Sequence, residues 1–355
     1  MPAYYLDEGN LSAFLFGLDA AGVCAQTVTE GGEADFERLD PDKPRPIDVR
    51  SPRAPTSIKQ FLFPAKERVA VYPSADYDWT PPVSGDEPLV ICGLRACDIA
   101  AARILDGVFI QDDYVDPFYA LRREALRLVT VDCAQPAETC FCTLLDGKPY
   151  AEDGFDVNLS PIEGGYVVES GSEKGKEMLV ASMKLLSEAT DEQLAARDAM
   201  RAATEQALAE QNAAYATDRT LEQIAKDATD PAVWVQIASG CVECGACSTV
   251  CPTCHCFQLY DQASDDAAGP HERMKVWDSC LTASYAKMAG VGGMKASPRP
   301  ELRQRFANRI LHKFAWFPEN MGCLGCVGCG RCTDACLGER DIRQLFQDLT
   351  VQAEA

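Results

Sequence analysis

Eight cysteines fall in two runs whose spacing suits metal chemistry. Cys241, Cys244, Cys247 and Cys251 read C-x2-C-x2-C-x3-C-P, and Cys326, Cys329, Cys332 and Cys336 repeat the intervals, with Leu337 in place of the proline. Thiolates are soft ligands. Three of them within one short stretch can wrap a face of an iron–sulfur cubane, with small residues such as Gly245 and Gly330 letting the chain turn between them. Zinc needs only two close pairs to close a four-thiolate site, so it accounts for neither the third and fourth cysteine of each run nor Pro252. Leu337 alters the turn but removes no ligand, because proline ligates nothing. Cys323 stands at C-x2-C spacing before Cys326; the later register is preferred because only it supplies the x3 interval to Cys336.

In the bacterial ferredoxin pattern, three cysteines of a run hold one cluster and the fourth reaches across to the other. On that rule Cys241, Cys244, Cys247 and Cys336 hold cluster 1, and Cys326, Cys329, Cys332 and Cys251 hold cluster 2. From Cys251 to Cys326 is 326 − 251 = 75 residues, far longer than the link in compact ferredoxins. The insert reads as helical over 284–289 and 301–314, which points to an all-helical two-cluster domain.

Ten of the eighteen cysteines remain. Cys97 and Cys133 each follow a predicted strand, and Cys140 and Cys142 come a few residues later. The carboxyl ends of parallel strands are where α/β sheets build sites, so these four could hold a third [4Fe–4S] cluster; the other reading is a set of reduced, partly buried thiols. Cys254, Cys256 and Cys280, with His255 among them, suit protection or tuning of neighbouring clusters, with ligation as the sharper option. Cys24 and Cys92 read as packing residues. His271 and His312 belong to no constellation.

The elements that must position these thiols are legible in outline. Residues 1–172 read as an α/β domain. Residues 68–73 form a short strand ended by Pro73, 88–93 a second strand, 98–106 a helix capped by Asp98, and 128–132 a third strand. Residues 155–159 and 166–169 look like a closing hairpin. From 173 to 230 strong helix formers dominate, giving two or three linking helices with solvated charged faces. Residues 231–355 hold twelve of the cysteines and are expected to form the helical dicluster, ferredoxin-like domain. The fold class is therefore α+β.

Net charge is −21, which argues against nucleic acid, whose binding needs basic patches, and against an anionic membrane surface. No run approaches the ~20 apolar residues of a bilayer span. The first residues lack a basic segment followed by an apolar one, so a cytoplasmic location is expected, where clustered thiols mean metal or redox chemistry rather than disulfides. There is no G-x-G-x-x-G ahead of a helix, no phosphate-binding G-x4-GK[ST], no G-x-S-x-G and no H-E-x-x-H.

Several blocks together resemble a known family: residues 55–64, 93–101, 132–133 with 139–142, 251–257, 277–280, 312–314 and 326–332. They are similar to the β subunits of cytoplasmic sulfhydrogenases and to the A subunit of anaerobic sulfite reductase. The resemblance spans nearly the whole chain and is weakest over 174–230. It implies a 4Fe–4S dicluster, non-catalytic electron-transfer subunit. Its expected partners are a ferredoxin-reductase-like subunit with FAD and a [2Fe–2S] centre that handles NAD(P)H, and a hydrogenase, sulfite reductase or heterodisulfide-reductase-type subunit. A self-contained flavin- or deazaflavin-dependent oxidoreductase is the alternative from another class.

Overall fold

Runs of β-branched and apolar residues in the first half of the chain build a sheet buried on both faces. The computed structural model describes residues 2–18, 21–28, 31–32, 34–43, 45–72, 87–111, 113–263, 271–288 and 297–353. The strands of the larger sheet are β1 (Ala3–Asp7), β2 (Gly22–Val28), β3 (Ala34–Arg38), β5 (Leu89–Leu94), β6 (Leu126–Val131), β7 (Val157–Ile162), β8 (Gly165–Ser170) and β9 (Leu186–Glu188). They lie in the order β3-β2-β5-β6-β7-β8-β1-β9. The central neighbours β2, β5, β6 and β7 pair in parallel. Val90, Ile91, Cys92 and Leu94 of β5, and Leu128, Val129 and Val131 of β6, are all buried, as parallel strands covered on both sides require.

The strand–helix–strand order expected around Cys97 is present, with one helix more than expected: β5 leads into the Ala96–Phe109 helix, and a second helix, Pro117–Ala125, runs directly into β6, which pairs in parallel with β5. The helix starts earlier than the sequence suggested. Arg95 is its N-cap, and Asp98 caps from the third helical position, its carboxylate accepting the Arg95 N–H at 3.1 Å. The hairpin of β7 and β8 is antiparallel, as expected. The strand read at 68–73 exists as β4 (Lys66–Tyr72) but joins another sheet, and Pro73 lies outside the described residues.

Residues 173–230 give three helices, Glu173–Ser182, Asp191–Asn212 and Leu221–Asp227, with β9 between the first two. Thr190 and Gln193 form a capping box that starts the long helix. Its charges are not simply solvated. Arg201 donates to buried Asp132 at 2.7 Å and Arg197 to Glu169 at 2.8 Å, so the helix is clamped onto β8 and onto the end of β6.

The cysteine-rich second half is not all-helical. β10 (Phe257–Ala263) and β11 (His271–Trp277) form an antiparallel pair, and β4 from the first half adds the third strand. A two-stranded ribbon alone is marginal, and the strand that completes it is distant in sequence. Residues 284–286 are turn and 287–288 irregular, not helix, with Ala286 at φ 55° breaking any helical run, and Ala289 lies outside the described residues. The expected helix over 301–314 is present as Leu302–Leu311, continued by a π-helical turn over His312–Trp316. It packs Phe306, Ile310 and Phe314 against Trp234, Ile237 and Phe346. Among the described residues no helix is long and apolar enough to cross a membrane.

The two halves are joined by a buried ion pair. Arg331, just beyond Gly330, meets Asp98 at 3.1 Å with both side chains only 1% exposed, and its Nε donates to the Ala54 carbonyl at 2.9 Å. Removing one member of such a pair leaves the other charged and buried. Asp98→Ala is therefore expected to lower stability by roughly 3–5 kcal/mol, read from urea unfolding followed by circular dichroism; a loss under about 1 kcal/mol would show that the pair does not carry the joint.

Candidate metal centre

The two cysteine runs fold alike, residue for residue. In each, the residue before the second cysteine and the residue after it take positive φ: Glu243 at 56° and Gly245 at 75° in the first run, Gly328 at 64° and Gly330 at 72° in the second. Each run then enters a four-residue helix, Ala246–Thr249 or Arg331–Asp334. This winding turns successive cysteines toward one point. Glu243 takes the left-handed conformation at a cost that glycine avoids, and it is held by Arg305 at 2.6 Å.

Cys241, Cys244, Cys247 and Cys336 all line a single cavity, closed on its other sides by Leu281, Phe306, Ile310 and Leu345. Arg309 also lines it, and the Arg309 Nε is buried without a hydrogen-bond partner. Four converging thiols, apolar walls and an orphan N–H fit an anionic, sulfide-rich cluster. The Arg340 N–H already points at Cys336 Sγ from 3.3 Å, the kind of backbone donor that tunes such a group.

Cys251, Cys326, Cys329 and Cys332 converge one layer further in. Cys251 acts electrostatically on each of the other three thiols. Burial pushes the Cys326 thiol up to about 12 and the Cys332 thiol up to about 11, so bare thiols would stay protonated there at neutral pH. A ligated metal removes that proton. Lys313, in the π turn, approaches Cys251 Sγ at 3.5 Å and donates to Thr253 Oγ1 at 2.7 Å and the Gly325 carbonyl at 2.8 Å. Burial works against its charge, but the nearby Cys251, Cys254 and Cys326 sulfurs, once charged, outweigh that and hold its pKa up. Cys332 also lines the first cavity, so the two cysteine groups share a wall.

The remaining thiols have definite places. Cys97, Cys133, Cys140 and Cys142 line one further cavity. Cys254 lies against Cys251, and Cys256 against Cys280 and Tyr285. His255 is half-buried, its pKa pulled down to about 4 by desolvation, with Nδ1 3.0 Å from the Thr253 carbonyl. Cys323 is exposed and shares an open groove with Cys97, Cys142 and Cys326, away from the first cavity. Cys24 and Cys92 are buried packing residues. Among the described residues, no three His, Cys, Asp or Glu side chains gather tightly enough to hold a single metal ion; a cubane takes its ligands at four separated corners.

Sequence reasoning missed the buried cations around these thiols. Lys59, 2% exposed, donates to the Ser248 and Thr249 carbonyls at 3.2 and 2.8 Å and lies 3.9 Å over the Trp277 ring. Arg309 and Lys313 approach from the helix and its π turn, and Arg331 from the second run. The signal was present, since Lys59 and Lys313 stand inside the sequence blocks that carry the family resemblance.

Gly328 packs against the loop that carries Cys140 and Cys142: a methyl there would sit 2.5 Å from Cys142 Cα and 2.7 Å from the Phe141 carbonyl carbon. Gly328→Ala adds this backbone clash to a positive φ. It is expected to cost about 2 kcal/mol or more and to lower the melting temperature by several degrees in differential scanning calorimetry; an unchanged transition would overturn the contact.

Residues 240–340 match the sequence model of the 4Fe–4S dicluster domain, a span that begins just before Cys241 and ends just after Cys336. The chain is also 34% identical, over 255 residues covering 72% of each protein, to sulfhydrogenase 2 subunit beta of Pyrococcus furiosus. The like-wound runs, their converging thiols and this similarity agree: the chain belongs to the 4Fe–4S dicluster family of sulfhydrogenase β subunits.

Proposed function

We propose that this protein is a non-catalytic relay that passes single electrons through two [4Fe–4S] clusters inside a larger redox complex. Cys241, Cys244, Cys247 and Cys336 hold the first cluster, and Cys251, Cys326, Cys329 and Cys332 the second. The observation that carries this reading is the shared wall: Cys332, a ligand of the second set, lines the cavity formed by the first. Two clusters so placed are neighbours in a path, not independent stabilisers.

All-thiolate cubanes supply one-electron chemistry at low potential. The chain's own residues exclude water and set the charge. Leu281, Phe306 and Ile310 close the first site. Lys313 places a buried positive charge beside Cys251, which favours the reduced, more negative state. The partners consistent with the family are an FAD-bearing, NAD(P)H-handling subunit with a [2Fe–2S] centre on one side and a hydrogenase, sulfite reductase or heterodisulfide-reductase-type subunit on the other. A negative protein surface suits docking to basic partner faces.

Two measurements check the relay. In anaerobically purified protein, Cys244→Ser and Cys329→Ser are each expected to remove about four irons and four sulfides together with one set of EPR signals; full iron in both variants would sink the ligand assignment. Lys313→Met should shift the potential of the second cluster downward in an EPR-monitored redox titration, while an unmoved potential would mean that Lys313 serves packing alone.

A further inference from the structure

A cavity between the sheet and the second half is walled by thiols that neither run uses. Cys97, Cys133, Cys140 and Cys142 all line it, and all four are free. Each arrives from a different constraint. Cys97 is the second residue of the helix that leaves β5. Cys133 follows β6, its N–H donating to the Pro149 carbonyl at 2.8 Å. The Cys140–Cys142 loop is fixed from two sides: Phe141 N–H donates to the Gly328 carbonyl at 2.8 Å, and the Cys140 carbonyl accepts from Gln211 at 2.7 Å and Asn212 at 3.0 Å. The crevice lies at the carboxyl ends of adjacent parallel strands, where open sheets of this kind place their ligands.

A second, independent observation points to an anionic occupant. Arg53 and Arg95 both line the cavity, 8% and 2% exposed, and the Nε of each is buried with no hydrogen-bond partner. Arg53 has a carboxylate elsewhere, Asp334 at 2.6 Å. Among the described residues, the Arg95 guanidinium donates to carbonyls alone, those of Val49, Ser51, Val131 and Asp132. Its charge therefore faces thiols with no counter-charge of its own. Four thiolates around an iron–sulfur cubane carry net negative charge and present sulfides as acceptors.

We propose that Cys97, Cys133, Cys140 and Cys142 hold a third [4Fe–4S] cluster. Cys329 of the second set lines the same cavity, and Arg331 Nη1 lies 3.9 Å from Cys97 Sγ, so the third cluster abuts the second. It lengthens the relay proposed above, resting on that reading for its role but not for its ligands.

The test is metal, acid-labile sulfide and EPR on anaerobically purified full-length protein. The wild type is expected to hold about twelve irons per chain. Cys133→Ser and Cys97→Ser should each lose about a third of the iron and sulfide while keeping the signals that Cys244→Ser and Cys329→Ser remove. A wild type with about eight irons that Cys133→Ser does not lower, or loss of zinc instead of iron in that variant, overturns the third cluster. The wild-type count decides even if a variant fails to fold. If Cys133→Ser lowers iron but Cys244→Ser and Cys329→Ser do not, the third cluster stands and the dicluster relay falls.

Discussion

The buried pair of Arg331 and Asp98 is the constraint on which the arrangement of sites depends. Asp98 sits in the first turn of the helix that follows β5, and Arg331 follows the glycine that winds the second cysteine run. One contact thus registers the first half of the chain against the second. Around it lie the Arg53–Asp334 pair at 2.6 Å, with Thr139 bridging to Asp334, and the Phe141–Gly328 backbone bond. A charged joint of this kind gives less net stability than apolar packing of the same size. What it supplies here is position: shifting it would move Cys97 and Cys329 together.

The distribution of charge is inverted between surface and interior. The chain carries a net charge of −21, yet Lys59, Arg95, Arg309, Lys313 and Arg331, all close to cysteines, are nearly or fully buried. Only Arg331 among them meets a carboxylate in an ion pair within the described residues. Burying isolated cations is costly, and iron–sulfur clusters with thiolate ligands offset that cost with their own negative charge. Buried cations beside cysteine thiols are what an anionic cluster would balance.

Much of the dicluster site was legible because its information is covalent. Thiol intervals and the glycines between them fix the winding before any tertiary contact forms. The β5–helix–β6 unit was legible for the same local reason. What escaped was long-range. β4 pairs with β11 some two hundred residues away, as in His271 with Tyr72, and nothing near either strand announces the other. The helical reading of the insert failed where β10 and β11 depend on that third strand, and at Ala286, whose left-handed backbone no propensity predicts. The role of the Asp191–Asn212 helix also lay beyond local pattern: Arg201, Gln211 and Asn212 look like surface polar residues until Asp132 and the Cys140 carbonyl come into range.

The stretch from Cys329 to Cys332 fronts two cavities, one shared with Cys241 and the other with Cys97. Three residues of chain cannot span more than about 11 Å, so the clearance between those cavities is capped by covalent bonds. Electron tunnelling weakens steeply with gap width. The lips at Cys329 and Cys332 are therefore fixed by the chain itself, while the far wall of the second cavity, from Cys97 to Cys142, is held by the Arg331–Asp98 pair and the Phe141–Gly328 bond. In the relay proposed above, the spacing along this run keeps its length for as long as the joint between the two halves holds.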